Sequence, residues 1–418
     1  MKSTVKNETR TENEKKADLK PLYSRSVVNS LGAGMVNPFM GAYAIELGAS
    51  SSDMGWFQSS SNISNNVMQV FWGRLSDRTK RRIPFIIFGT LIMSTLWIPM
   101  IFVTNATQLI LLIAIQALIG SMATPAWTAL IGDLVPSSKL GRANASINLW
   151  VSIGSLIATM ASGMLMISVG GKPQQMMLIP LLTAAACGII SCAAMLSIKE
   201  KKNGEKLNLK KQFTSDFIGT LAIARKNADF VRYCYIAGVF EFSMSICWPL
   251  LPRTQVDVLS ATMLHIALLS VVQTVITIVF QGWAGRVTDT IGRRPALAFF
   301  RLSLVTVPLA YAFAPTIEML IAVGAFWGFV NALGNAAVTA YLLDIAPEEH
   351  RGSFTAVFNL MIGLTTFFGS LLGGYLSAYT ISVFGLITGL QIVYMISMSG
   401  RIIGALLHFR LKETLKKS

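Results

Sequence analysis

Along this chain, apolar runs of about 20 residues alternate with short polar connections, and that is the length an α-helix needs to cross a hydrocarbon layer about 30 Å thick. Twelve such runs can be marked. In the first half they lie near 26–48, 54–73, 83–104, 106–131, 147–170 and 175–198. In the second half they lie near 231–253, 262–284, 296–314, 317–342, 354–379 and 382–409. A membrane strand would be about 10 residues long and strictly alternating. These runs are longer and do not alternate, so the pattern predicts an all-α membrane protein with twelve transmembrane helices.

Composition supports this class. Of 418 residues, 53% are apolar and 13% charged, where soluble proteins carry about 25% charged residues. The net charge of +15 would suggest a nucleic-acid surface if it lay on one face of a soluble fold. Its distribution gives another cause. With the N-terminus placed in the cytoplasm, 31 of the 35 Lys and Arg fall in the tails and alternate connections, and only Lys172 and Arg253 on the opposite side. Arg301 and Arg401 fall within runs. This is the positive-inside bias, so the basic excess reports topology and no nucleic-acid partner is expected. The expected location is the cell (cytoplasmic) membrane, multi-pass, with both termini cytoplasmic. The N-terminal tail, residues 1–25, mixes both signs of charge and lacks the apolar core of a signal peptide. Cys187, Cys192, Cys234 and Cys247 all fall within apolar runs without zinc spacing; they read as packing residues, and no metal site or cofactor is expected.

The chain repeats itself. "GRLSDRTKRR" (Gly73 to Arg82) returns as "GRVTDTIGRR" (Gly285 to Arg294), 212 residues later. Asp133, Pro136 and Asn148 return as Asp344, Pro347 and Asn359, each 211 residues later. Two motifs at nearly one offset argue for duplication of a six-helix unit. The expected organisation is a tail (1–25), a six-helix bundle (26–198), a linker (199–230), a second bundle (231–409) and a short tail (410–418). Within the linker, Phe213, Phe217 and Leu221 recur at helical spacing against a basic face, which suits either a helix lying on the membrane surface or a flexible connection.

The two repeated motifs resemble the signatures of the major facilitator superfamily: G-x-x-x-D-R-x-G-R-R after the second and eighth helices, and D/E-x-x-P-x-x-x-R-G after the fourth and tenth. The resemblance covers the whole chain and implies twelve helices in two pseudo-symmetric six-helix bundles. It further implies gating roles for the loop-motif residues Gly73, Asp77, Arg78, Arg81, Gly285, Asp289 and Arg293, joined by Asp344 and Arg351 of the second element. From the residues alone, Gly73 and Gly285 suit close helix packing, and Arg82 and Lys80 read as plain inside charges. The motif is imperfect: Lys80 stands at a motif glycine, Thr290 at a motif arginine, and Arg142 falls two residues late.

Polar residues inside the runs locate candidate chemistry. Gln58, Asn62, Asn65, Asn66 and Gln69 form one stripe of the second run at about 100° per residue. Carboxamides facing lipid would cost several kcal/mol each unless satisfied, so the stripe faces a solute cavity or a neighbouring helix. Shorter stripes hold Gln273, Thr277 and Gln281 in the eighth run, and Trp327, Asn331 and Asn335 in the tenth. Asn37, Gln116, Asn148 and Trp248 complete the candidate cavity residues. Glu241, in the middle of the seventh run with Ser245 and Trp248 on its face, must be protonated, paired or hydrated at that depth. It is the candidate coupling site, with a structural hydrogen bond between helices as the plainer reading. Arg301 is expected to snorkel from the end of its run, Arg401 to pair within its half, and His265 to be a satisfied packing residue.

No phosphate-binding loop or nucleophile arrangement is present in the sequence, so the chain reads as a carrier driven by a gradient and not as an enzyme. The arginine that resembles the mark of drug–proton antiporters is replaced by Gln116, and the elements typical of sugar porters are missing. Twenty Met and a path of amides and aromatics suit adaptable recognition. The expected function is secondary transport of a small-molecule substrate by alternating access, coupled to protons or sodium, with efflux of amphipathic compounds favoured. Uptake of a polar metabolite such as a sugar or organic acid is the alternative, and a non-transporting scaffold or receptor the reading from another class. The lipid bilayer is the implied environment, and a monomer is expected.

Overall fold

A computed structural model of the chain describes residues 19–79, 81–135, 137–198, 219 and 221–415. The N-terminal tail up to 18, Lys80, Pro136, and Phe213 and Phe217 of the linker lie outside the described residues, as do the side chains of Asn65, Asp77 and Arg78. All regular elements among the described residues are helical. They are α1 (Leu19–Val36), α2 (Met40–Glu46), α3 (Ser51–Ile63), α4 (Gln69–Thr79), α5 (Ile83–Thr95), α6 (Ala106–Gly120), α7 (Ala123–Leu134), α8 (Ser137–Val169) and α9 (Pro173–Leu196). The second half continues with α10 (Ala228–Cys247), α11 (Leu250–Arg253), α12 (Met263–Ile291), α13 (Arg293–Ser303), α14 (Thr306–Phe313), α15 (Ile317–Ile345), α16 (Arg351–Phe384) and α17 (Leu386–His408).

Among the described residues, ten helical stretches are long and apolar enough to cross a membrane, and they cover the third to the twelfth predicted runs. The first two runs are helical but interrupted. A 3-10 turn, Asn37–Phe39, separates α1 from α2, and a π-helical segment, Ser64–Met68, joins α3 to α4. The serines and carboxamides of the second run dilute its apolar character, so by length and composition ten spans are shown where twelve were expected.

The described residues divide into two compact units. One draws on the described residues within 19–38, 68–103 and 115–198; the other on those within 39–67, 104–114 and 219–415. In the first unit α1 packs on α8 and α9, and α5 on α7 and α9. In the second, α12 packs on α15, α10 on α16 and α17, and α13 on α15 and α17. The packing units do not follow the sequence repeat, because α3 packs along α16. That contact uses small residues: a Cβ at Gly374 would lie 2.7 Å from the Gly55 Cα, so the two backbones meet directly and only glycine fits. Asn62 of the second-run stripe faces this contact, as does Ser59. Ser59 Oγ donates to the Phe367 carbonyl (2.8 Å), and Asn62 Nδ2 to Ser370 Oγ (3.2 Å). The Trp56 indole donates to the Tyr375 hydroxyl (3.1 Å).

Local capping explains several polar residues at helix ends. Ser50 and Asp53 form a capping box at the start of α3, and Thr262 and His265 do the same for α12. Asn227 Oδ1 accepts from the Phe230 amide to start α10, while its Nδ2 donates to the Ile345 carbonyl and ties that start to the end of α15. Residues 221–226 are helical; Leu221 is exposed and Ala224 is buried against the core of the second unit.

The start of α13 is held from a distance. Gly292 turns the chain at φ +115° and offers no side-chain cap. The Glu413 carboxylate instead accepts from the amides of Arg293 (2.9 Å) and Arg294 (3.1 Å), and also from Thr414 and Leu415. Arg294 donates back to the Phe409 carbonyl (2.5 Å), and Thr414 Oγ1 to Asp344 (2.9 Å). The segment after α17 thus fixes the helix that carries Arg301. Partial burial alone would raise the Glu413 carboxyl, but its four backbone donors hold it below the usual carboxylate range. With the pKa depressed in the folded chain, the stabilisation is complete above the ordinary value of about 4.3 and is lost as pH falls through the folded value. Glu413→Ala should therefore cost roughly 1 kcal/mol at neutral pH, as other lost helix caps do. Hydrogen exchange should show faster exchange at the Arg293 and Arg294 amides in the variant, and in the wild type only in acid; unchanged protection in the variant would contradict the clamp.

Candidate functional site

The second unit encloses a cavity of about 470 Å³. Its walls come from eight helices, α10 to α17, and carry chemistry of three kinds. Charged groups are Glu241 of α10, Arg301 of α13 and Arg401 of α17; amides are Gln273 of α12, Asn331 and Asn335 of α15, and Asn359 of α16. Aromatic groups are Trp248, Phe300, Tyr311, Trp327 and Phe358. The volume lies within the range of about 300–1,000 Å³ typical of small-molecule sites.

At its centre Arg301 Nη1 donates to Glu241 Oε1 at 2.7 Å. The expectation that Arg301 snorkels is corrected: the side chain is 2% exposed and turns inward. The nearby carboxylate offers a better partner than distant headgroups, because an ion pair is stronger away from water. The guanidinium also lies 4.6 Å from the Phe240 ring centre and 5.1 Å from that of Phe300, a cation–π arrangement. For Glu241, the choice between protonated, paired and hydrated resolves to paired.

Arg401 is 1% exposed and reaches neutral acceptors. Nη1 donates to the Leu304 carbonyl (2.6 Å), and Nη2 to the Met244 carbonyl (3.1 Å) and Cys247 Sγ (2.7 Å). It stays within its own half, tying α17 to α10 and to the end of α13. The Nε atoms of both arginines have no hydrogen-bond partner. Behind the pair, His408 is buried; its Nδ1–H donates to the Gly404 carbonyl (2.7 Å), and its ring meets Phe240 edge-on.

The aromatic wall is ordered by its polar tips. Tyr311 and Trp327 stack with centroids 5.8 Å apart. The Trp327 indole donates to Thr306 Oγ1 (3.1 Å), and Gln255 Nε2 donates to the Tyr311 hydroxyl (2.7 Å). Thr277 Oγ1 donates to the Gly328 carbonyl (2.9 Å), so the α12 stripe partly serves to bind α12 to α15.

Not every sequence candidate reaches this cavity. Gln58 Nε2 donates to Asn62 Oδ1 (3.2 Å), and Asn66 Nδ2 donates to the Asn62 carbonyl (2.9 Å), on the α3–α16 side of the second unit. Gln116, in the first unit, is buried with Nε2 on the Met93 carbonyl (2.9 Å). Asn37 and Asn148 are exposed, and Gln69 is half-buried. Tyr311 and Asn359 line the cavity without having been singled out. Asn359 had a signal: it is the repeat partner of Asn148.

The loop motifs form ion pairs in each unit. In the second, Arg293 lies between Asp289 and Asp344, its Nε 3.2 Å from Asp344 Oδ2. Arg351 pairs with Glu348 at 3.6 Å. In the first unit the partner of Asp133 is Arg82, at 3.5 Å, and Arg82 also donates to Ser76 Oγ (3.1 Å). Arg82 is therefore no plain inside charge; at the repeat offset Arg81 would have been expected there, and Arg81 is exposed. Gly73 lies against Pro125, whereas no described atom stands within 4 Å of a Cβ placed on Gly285, so close packing is not the reason for that glycine. Arg25, counted with the tail, belongs to α1 and is buried, donating to Thr90 Oγ1 (3.3 Å) and lying 4.2 Å from the Trp127 ring centre.

The pair is expected to be costly to break from one side. Glu241→Met or Arg301→Met alone should lower stability by about 3–5 kcal/mol, since each leaves the other charge buried without its partner. The double substitution should lose less than either single one. Thermal unfolding of the purified protein in detergent measures this; additive losses would contradict the pairing.

The comparisons agree with this architecture. The model of the Major Facilitator Superfamily matches residues 23–252 and 233–416. An uncharacterised MFS-type transporter of Methanocaldococcus jannaschii is 22% identical over 84% of this chain and 86% of its own length. Multidrug resistance protein 2 of Bacillus subtilis is 24% identical over 87% of this chain and 90% of its own. The crystal structure of a nucleoside transporter, in a mutant form, superposes with a TM-score of 0.74 at 15% identity, covering 94% of this chain and 98% of that one. With a family match spanning nearly its whole length and this helical architecture, the chain belongs to the Major Facilitator Superfamily of transporters.

Proposed function

We propose that this transporter exports small amphipathic compounds across the cell membrane in exchange for protons, by alternating access of two six-helix halves, 26–198 and 231–409, with both termini cytoplasmic. The observation that carries the reading is the Glu241–Arg301 pair, 2.7 Å apart and facing a cavity walled by aromatic rings and amides. A carboxylate beside a solute site that takes up a proton when the solute leaves and releases it when the solute binds couples the two movements as an exchange. The groups that face Glu241 are Arg301 and Arg401, with Tyr233 and His408 behind them. The likeness to a multidrug resistance protein supports the outward direction. Uptake of a polar metabolite is favoured by the amides Gln273, Asn331, Asn335 and Asn359 on the same wall. Counterflow in proteoliposomes separates the two.

Two outcomes test the mechanism. Glu241→Gln can still accept from Arg301 but cannot carry a proton, so transport should lose its pH dependence while counterflow persists; retained pH dependence would remove the coupling role. The α3–α16 contact should part during the cycle. Cysteines at Trp56 and Tyr375, bridged by a short bifunctional maleimide, should stop transport in the doubly substituted protein and not in either single one. Full activity after bridging would favour a scaffold or receptor.

A further inference from the structure

We infer that the cargo of this cavity is an amphipathic organic monoanion: a flat apolar body bearing one carboxylate or sulfonate. This rests on the carrier reading and adds the charge of the solute. Among the described lining residues there is one carboxylate, Glu241, and there are two cations, Arg301 and Arg401. Glu241 is engaged by Arg301. Arg401 is buried to the same degree, yet its partners are two carbonyls and a thiol. None of these cancels a full charge, and a buried charge without a counter-charge is costly.

The helices around the cavity supply no other compensation. α12 contributes Gln273, α15 Asn331 and Asn335, and α16 Asn359, all uncharged. The Nε of each arginine is buried and has no partner, so each guanidinium is short of one acceptor. A guanidinium also offers paired donors matched to a carboxylate or sulfonate. A cationic solute meets the opposite situation: the one carboxylate is already paired, and two guanidiniums repel it at close range. The stacked Tyr311–Trp327 pair, with Trp248 on the same wall, supplies the flat apolar surface for the body of the solute.

The test compares three probes of one shape: 2-naphthoate, its neutral amide and the 2-naphthylmethylammonium cation, titrated calorimetrically against the full chain in detergent. Naphthoate should bind at least about tenfold more tightly than either isostere, the ratio that one charge-assisted contact supplies. Arg401→Lys should keep the preference, and Arg401→Gln should erase it by weakening naphthoate alone. Equal or tighter binding of the amide or the cation to the wild type, or no binding of naphthoate, overturns the inference. The comparison on the wild type stands even if the Arg401→Gln protein does not fold. The maleimide bridging test uses no charged solute, so a carrier that is blocked by the bridge but prefers the cation would sink the charge assignment and leave the transport reading intact.

Discussion

Three buried ionisable side chains constrain the second unit: Glu241, Arg301 and Arg401. An uncompensated charge in such a place costs several kcal/mol, so the helices that carry these groups are fixed by the need to satisfy them. Arg301 draws α13 to α10, and Arg401 draws α17 to α10 and to the end of α13. The cavity is what remains where the two cations and the carboxylate meet the aromatic wall. Under the proposed function, binding chemistry and helix assembly rest on the same side chains.

A second constraint is size. Apolar helices gain nothing from hiding apolar surface from lipid, so they associate by close packing and by hydrogen bonds between helices. Along α3 and α16 this is met by Gly55 against Gly374 and by hydroxyl and amide donors to carbonyls. Such a seam holds little apolar area and breaks without exposing much, which suits an interface that opens and closes. The pairs of Arg293 with Asp289 and Asp344, and of Arg82 with Asp133, are water-exposed on their acidic side. Exposed pairs contribute little each, and they too can be exchanged at low cost.

Class and helical architecture were legible in the sequence because each follows from a long-range regularity, run length, charge bias or a repeat at one offset; the family came from the likeness of two loop motifs to its signatures. Glu241 was legible because an acid in an apolar run has few explanations. Its partner was harder. Arg301 lies near the end of its run, where snorkelling and pairing look alike in one dimension, and only the approach of α13 to α10 decides between them. Arg82 was missed for a related reason: the repeat offset pointed to Arg81, but both residues lie in the irregular link between α4 and α5, where an offset does not fix which side chain turns to Asp133. For the amides of the second run, periodicity cannot say whether they meet a solute or, as Asn62 does, a serine of α16.

The central claim is that the charged cavity is a site that water reaches from each side of the membrane in turn. Asn335 is exposed on its wall, so an Asn335→Cys protein labelled by a membrane-impermeant maleimide in right-side-out and in inverted vesicles measures this directly, against the wild-type background. Labelling is expected from both sides, with a pH gradient raising one at the expense of the other. Labelling from one side only, unmoved by the gradient, would contradict alternating access at this site.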